Sequence, residues 1–364
     1  LISIRVPFFK QAIQESIKTK YTTFDGLRGF AAISVFFVHA LTYYIYFQTG
    51  DWTTPPSLHT FLGKSAVAFF FMITGFLFWS KAINGKINIK SFYTRRALRI
   101  YPLYWFSLAW ITLIVLISSN FSLKVSLIRL FYEITRWLTC GLFNLPFITG
   151  IVSSPSINTI NTIPINAGIQ WTLIYEVQFY LVLPLLAILA KPSRFIFLFA
   201  FLVALSQLIA VEPIMVMINF LFGMTAAYIL QKFKLEKVLS HWIASILIIL
   251  LIFIAALAID NKLMFYFVIF SIFLIIAYGN SIFGLLSLKA ARHLGTISYS
   301  VYLLHGIIIF SVLKIVNIIY PIQAMSPITY WILIGLCSLI LIPICSLTYR
   351  FIEHPFLKKP LPLF

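Results

Sequence analysis

Apolar runs of about 20 residues recur along the chain, and the breaks between them are short and rich in Lys, Arg, Gly, Pro and Asn. The runs are too long and too uniformly apolar for the alternating strands of an outer-membrane barrel. The windows predict helices over 22–48, 62–80, 97–117, 171–190, 194–211, 213–230, 241–259, 262–279, 296–318 and 327–351. The expected fold class is therefore all-α, a polytopic membrane helix bundle of about ten transmembrane helices. One stretch resists assignment: "RLFYEITRWLTCGLFNLPF" is apolar enough to cross, yet it carries Arg129, Glu133 and Arg136.

Charge distribution bears on that stretch. With the N-terminus inside and 129–148 not crossing, most of the 27 lysines and arginines fall on the inner side. A full crossing there would put every later basic loop outside, against the positive-inside bias. Residues 118–170 are thus expected to be an extracytoplasmic or re-entrant segment. They belong to a single membrane domain spanning 22–356, between a cytoplasmic N-terminal segment (1–21) and a cytoplasmic tail (357–364). Both termini are expected in the cytoplasm. The first 20 residues carry Arg5, Lys10, Lys18 and Lys20 and show no pattern of a removable signal peptide.

Composition supports the membrane reading: 61% of the 364 residues are hydrophobic, 17% aromatic and only 10% charged, and the mean hydropathy is +1.00. A net charge of +18 would suggest nucleic acid in a soluble chain, but these basic residues orient helices, so no nucleic-acid partner is expected. Cys140, Cys337 and Cys345 have no metal-ligand spacing and imply neither a metal site nor a disulfide framework. No internal repeat of the kind found in many transporters is visible.

Ionisable groups inside lipid cost several kcal/mol unless paired or hydrated, so each one in a predicted span is a candidate. In "DGLRGFAAISVFFVHA", Arg28 and His39 are separated by three turns to within about 20°, so they share a helix face roughly 16 Å apart. This is either a snorkelling arginine with a packed histidine, or a charged anchor aligned with an imidazole that takes a proton near neutral pH. Asp25 reads as a cap or a partner for nearby basic groups. Gly26 and Gly29 would permit close approach of a neighbour. In "FYTRRALRIYPLYW", Arg95, Arg96 and Arg99 either set orientation or bind phosphates, for which forked guanidinium groups are well suited.

In "WTLIYEVQFYLVLP", Glu176 lies well inside a helix whose outer boundary is Trp171 and whose next turn presents Tyr180. It is either a paired interface anchor or a carboxylate near the depth of His39. In "LGTISYSVYLLH", Ser298, Tyr302 and His305 follow i, i+4, i+7 spacing and form one polar stripe, which serves as interhelical glue or as part of a site. Glu353 in "YRFIEHPF" is expected to pair with the arginine cluster.

These stretches, with "FFFMITGFLF", occur in order over 24–356 and resemble acyltransferase family 3, the bacterial membrane O-acyltransferases. The resemblance implies a protein of the bacterial cytoplasmic (inner) membrane. It implies transfer of an acyl group, acetyl as a rule, from cytosolic acyl-CoA to a hydroxyl of an extracytoplasmic or lipid-linked glycan such as lipopolysaccharide or another polysaccharide. Position by position, the family's arginine–histidine pair falls on Arg28 and His39, its paired inner-loop arginines on Arg96 and Arg99, with Arg95 an extra neighbour, and its Trp…Glu motif on Trp171 and Glu176. The expected site then has His39, as general base or transient acyl carrier, and Glu176 as catalytic groups, Arg28, Arg95, Arg96 and Arg99 as donor contacts, Trp171, Tyr180, Ser298, Tyr302 and His305 in supporting or acceptor-side roles, and Asp25 and Glu353 as structural partners. Acyl-CoA, the glycan and membrane lipids are the expected partners, with no metal. The chain stops soon after its last helix, so the hydrolase-like domain fused to some members is expected to be absent, which leaves room for an extracytoplasmic partner protein. The rival expectation is a multi-pass transporter or flippase of a glycan or glycan precursor, which would also place charge in its spans.

Overall fold

The structure is a computed structural model that describes residues 21–53, 58–85, 88–121, 125–139, 162–187 and 212–358. These residues are helical, with no strand among them. The longer helices are α1 (Thr22–Thr49), α2 (Leu58–Ile83), α3 (Ile89–Ser118), α4 (Leu127–Leu138), α5 (Gln170–Ala187) and α6 (Glu212–Lys232). They continue with α7 (Trp242–Leu257), α8 (Lys262–Ala277), α9 (Lys289–Thr296), α10 (Ser298–Ile319) and α11 (Pro327–Thr348). A π-helical turn, Tyr349–Glu353, and a short helix, His354–Lys358, follow α11.

Among the described residues, five helical stretches are long and apolar enough to cross a membrane: 22–49, 60–83, 91–118, 298–319 and 327–357. Three apolar helices are shorter, at 216–232, 242–257 and 262–277. The chain is thus a multi-pass helical membrane protein. Its expected helix over 194–211, Cys140, most of the loop before α5 and the N-terminal segment up to residue 20 lie outside the described residues. Within the resistant stretch, α4 has 12 residues, about 18 Å of helix, short of the ~30 Å hydrocarbon core. It exposes Leu127, Ile128, Phe131 and Tyr132 and buries Glu133 and Trp137, with Arg129 Nε on Glu133 Oε1 at 3.1 Å.

Two compact units divide the chain. The first comprises residues 1–34, 60–93 and 178–298. Phe24 at the start of α1 packs on Phe76 and Phe273, ring centroids 5.0 and 5.3 Å away, and Thr23 donates to the carbonyl of Ile276 at 3.2 Å. The first turns of α1 lie against the 286–295 segment so closely that a Cβ at Gly26 would sit 2.0 Å from the Leu286 carbonyl oxygen, and one at Gly29 2.2 Å from that of Ala291. Backbones meet there because neither glycine carries a side chain. On α9, His293 is buried, and burial holds its imidazole down to about 4 by disfavouring the cation. α7 turns Leu247, Leu250, Phe253 and Leu257 outward, the surface expected of a helix that borders lipid.

The second unit comprises residues 35–59, 94–177 and 299–364 and holds most of the candidate polar groups. α1 supplies its later turns, α3 all but its start, and α10 and α11 nearly all their length. Within α3, Pro102 lacks the N–H that would bond the Leu98 carbonyl, so the helix is weakened one turn beyond the arginine cluster. Phe36, Tyr43, Tyr104, Leu304, Ile307, Tyr330 and Ile334 are buried at its centre.

Candidate active site

The second unit brings His39 of α1 and His305 of α10 together. His39 Nδ1 lies 2.8 Å from His305 Nε2, with the ring centroids 5.0 Å apart and the planes 20° from parallel. His305 is 0% exposed, whereas His39 is partly buried. The other nitrogen of His305, Nδ1, faces the carbonyl oxygens of Val301 at 3.0 Å and Tyr302 at 2.8 Å, one turn back on its own helix.

Tyrosines fix this pair in place. One turn beyond His39, the Tyr43 hydroxyl donates to the carbonyl of Gly306 at 2.9 Å and is also in hydrogen-bond contact with that of Pro164. From α11, Tyr330 donates to the Ala40 carbonyl at 2.5 Å. The loop before α5 reaches α10 because residue 306 is glycine: a Cβ there would lie 2.5 Å from the Asn166 carbonyl carbon. That loop closes through left-handed Ala167 (φ 59°) and Gly168 (φ 64°), with the Gly168 N–H donating to Asn166 Oδ1 at 2.9 Å. Tyr302 then joins α10 to α5, its hydroxyl 2.7 Å from Thr172 Oγ1.

A second polar cluster lies five residues earlier on α10, about 7.5 Å along the axis. Arg99 Nη1 meets Glu353 Oε2 at 2.8 Å, and the guanidinium stands 5.5 Å from the centre of the Tyr299 ring. Glu353 also accepts from Ser300, which accepts from Thr348 at 3.1 Å. A carboxylate with no solvent exposure requires such pairing. The π-helical turn ending at Glu353 lies just beyond Thr348. Glu176, half-buried on α5, lies within electrostatic reach of both Arg99 and Tyr302.

Not every candidate joins these groups. Asp25 and Arg28 belong to the first unit and pair with each other at 3.5 Å. Tyr180 is buried in the first unit's aromatic cluster, edge-on to Phe78 at 5.4 Å, and Ser298 is buried at the start of α10. Arg95 is exposed and Arg96 half-buried, while Trp171 is 44% exposed and edge-on to Tyr175. Sequence reasoning passed over Tyr43, Thr172, Ser300 and Thr348, whose types are common in apolar helices. Only the proximity of Tyr43 to His39, and of Ser300 to His305, offered a signal. No cluster of three or more metal-ligating side chains occurs among the described residues.

The described residues are those of a multi-pass helical membrane protein with a histidine pair and a buried ion pair among its apolar helices. The acyltransferase domain model of acyltransferase family 3 matches residues 21–347, and the chain belongs to that family of acyl-transferring enzymes. It is similar to Nodulation protein 10 of Rhizobium leguminosarum bv. viciae, 31% identical over 164 residues, covering 45% of this chain and 43% of that protein. It is similar also to the O-acetyltransferase OatA of Staphylococcus aureus (strain NCTC 8325 / PS 47), 27% identical over 384 residues, covering 92% of this chain and 57% of that protein. The chain thus spans about half the length of each relative. No solved structure matches it.

Proposed function

We propose that the chain transfers an acyl group, acetyl being the expected one, from cytosolic acyl-CoA to a hydroxyl of an extracytoplasmic or lipid-linked glycan in a bacterial cytoplasmic membrane. The observation that carries this reading is the His39 ring held by a hydrogen bond against the fully buried His305 ring. His39 acts as the general base: it takes the proton of the acceptor hydroxyl, the oxygen attacks the thioester carbonyl, and the CoA thiolate leaves and recovers the proton. Arg95 and Arg96 receive the donor's phosphates, and Arg99 assists while sharing its charge with Glu353. Glu176 orients the acceptor or balances charge, and the exposed indole of Trp171 offers a stacking face for a sugar. Family membership and the O-acetyl transfer named for OatA agree with this reading.

The test is transfer from radiolabelled acetyl-CoA by the purified protein in lipid nanodiscs. His39→Ala is expected to abolish transfer; an unchanged rate overturns the assignment. An acylated His39 peptide recovered by mass spectrometry would replace the base route with an acyl-carrier route.

A further inference from the structure

The hydrogen bonds around His305 determine which nitrogen of His39 is reactive. His305 Nδ1 lies within 3.0 Å of two carbonyl oxygens, and carbonyls only accept, so Nδ1 carries a hydrogen. The ring is fully buried, and the polar atoms bonded to it among the described residues are those carbonyls and His39, with no carboxylate in contact. A cation there would have no counter-charge, so the ring is neutral and its Nε2 holds a bare lone pair. That lone pair faces His39 Nδ1 at 2.8 Å, a distance that requires one hydrogen between them. The hydrogen therefore sits on His39 Nδ1, and a neutral His39 is left with its lone pair on Nε2.

We propose that His305 is a positioning residue that locks His39 in the Nδ1–H tautomer and so makes Nε2 of His39 the atom that receives the acceptor hydroxyl's proton. This rests on the reading of His39 as the base. Imidazole in water prefers the Nε2–H form, in which the outward nitrogen is blocked; the pair inverts that preference. During transfer, the O–H proton moves to His39 Nε2 as the hydroxyl oxygen bonds the thioester carbon. The positive charge formed is shared through Nδ1–H with His305, whose own Nδ1–H points at two carbonyl dipoles. When the C–S bond breaks, the CoA thiolate takes the proton from Nε2 and both rings return to their starting state.

The experiment uses the full chain labelled with 15N-histidine, in nanodiscs, with the His39 and His305 resonances assigned through His39→Gln and His305→Gln. In the unaltered protein, His39 is expected to show a protonated Nδ1 and an unprotonated Nε2. His305→Ala is expected to release His39 to the Nε2–H form and to lower kcat by about 100-fold or more, the scale of a misplaced general base, with KM for acetyl-CoA little changed. His305→Gln, whose amide oxygen can accept from Nδ1–H, is expected to restore the Nδ1–H signal and part of kcat. An Nε2–H signal from His39 in the unaltered protein overturns the proposal. That spectrum requires no turnover, so it is separate from the His39→Ala rate, which would overturn the functional reading on which the role rests.

Discussion

Replacing Arg99 by Met tests whether the inner cluster is a structural ion pair or a donor-binding arginine. The substitution leaves the Glu353 carboxylate, which has no solvent exposure, among Ser300, Thr348 and apolar neighbours. With charge centres about 4 Å apart and an effective dielectric near 20, the lost attraction is about 4 kcal/mol. Stranding one partner of a buried pair costs roughly 3–5 kcal/mol, and because Arg99 is 26% exposed the lower end applies. Glu353→Gln strands a better-hydrated charge and retains an acceptor for Ser300, so it should cost less, about 1–2 kcal/mol. The double variant removes both charges, so its loss should fall short of the sum of the two single losses by about 2 kcal/mol. Reversible unfolding in mixed micelles, followed by tryptophan fluorescence, reads all three. Strictly additive losses would refute the pair as a stabilising unit. A purely phosphate-binding Arg99 would leave stability untouched and raise only the KM for acyl-CoA.

Other perturbations follow from the packing. Gly306→Ala places a Cβ about where the Asn166 backbone now lies, 2.5 Å from its carbonyl carbon, so the loop before α5 must retreat. A loss of about 1–3 kcal/mol is expected, with a fall in transfer rate as Tyr43 loses the Pro164 carbonyl; unaltered melting of that variant would refute the close approach. His293 supplies a pH dependence. Its folded value of about 4 lies below the unfolded 6.5, so the unfolded chain binds the proton first and stability falls as pH drops from about 6.5 to 4. The full displacement is worth at most about 3 kcal/mol. His293→Gln should flatten the melting temperature over that window, and an equal slope in both proteins would refute the assignment.

Much of the architecture can be read from hydropathy alone, because a helix that must avoid water has to be long and apolar. The polar character of the α10 face was legible for the same reason: it is a property of a single helix. The partners were not. His39 meets His305 across a sequence separation of 266, and nothing in either helix's pattern selects one polar group among several. Nor does the position of Tyr180 on its helix reveal that Phe78 and Phe92 pack edge-on against its ring. Glu353 was expected among the arginines; that it meets Arg99 beyond a π-helical turn depends on a local backbone register that hydrophobic periodicity does not encode.

The two carbonyls that hold His305 belong to the main chain of Val301 and Tyr302. Where a carboxylate orients an imidazole, a single codon change can erase the orienting group. Here no side-chain replacement at 301 or 302 deletes the acceptor, provided the helix persists. A change at 302 would cost the separate hydroxyl contact to Thr172, but the main-chain acceptors that align the histidine pair would remain.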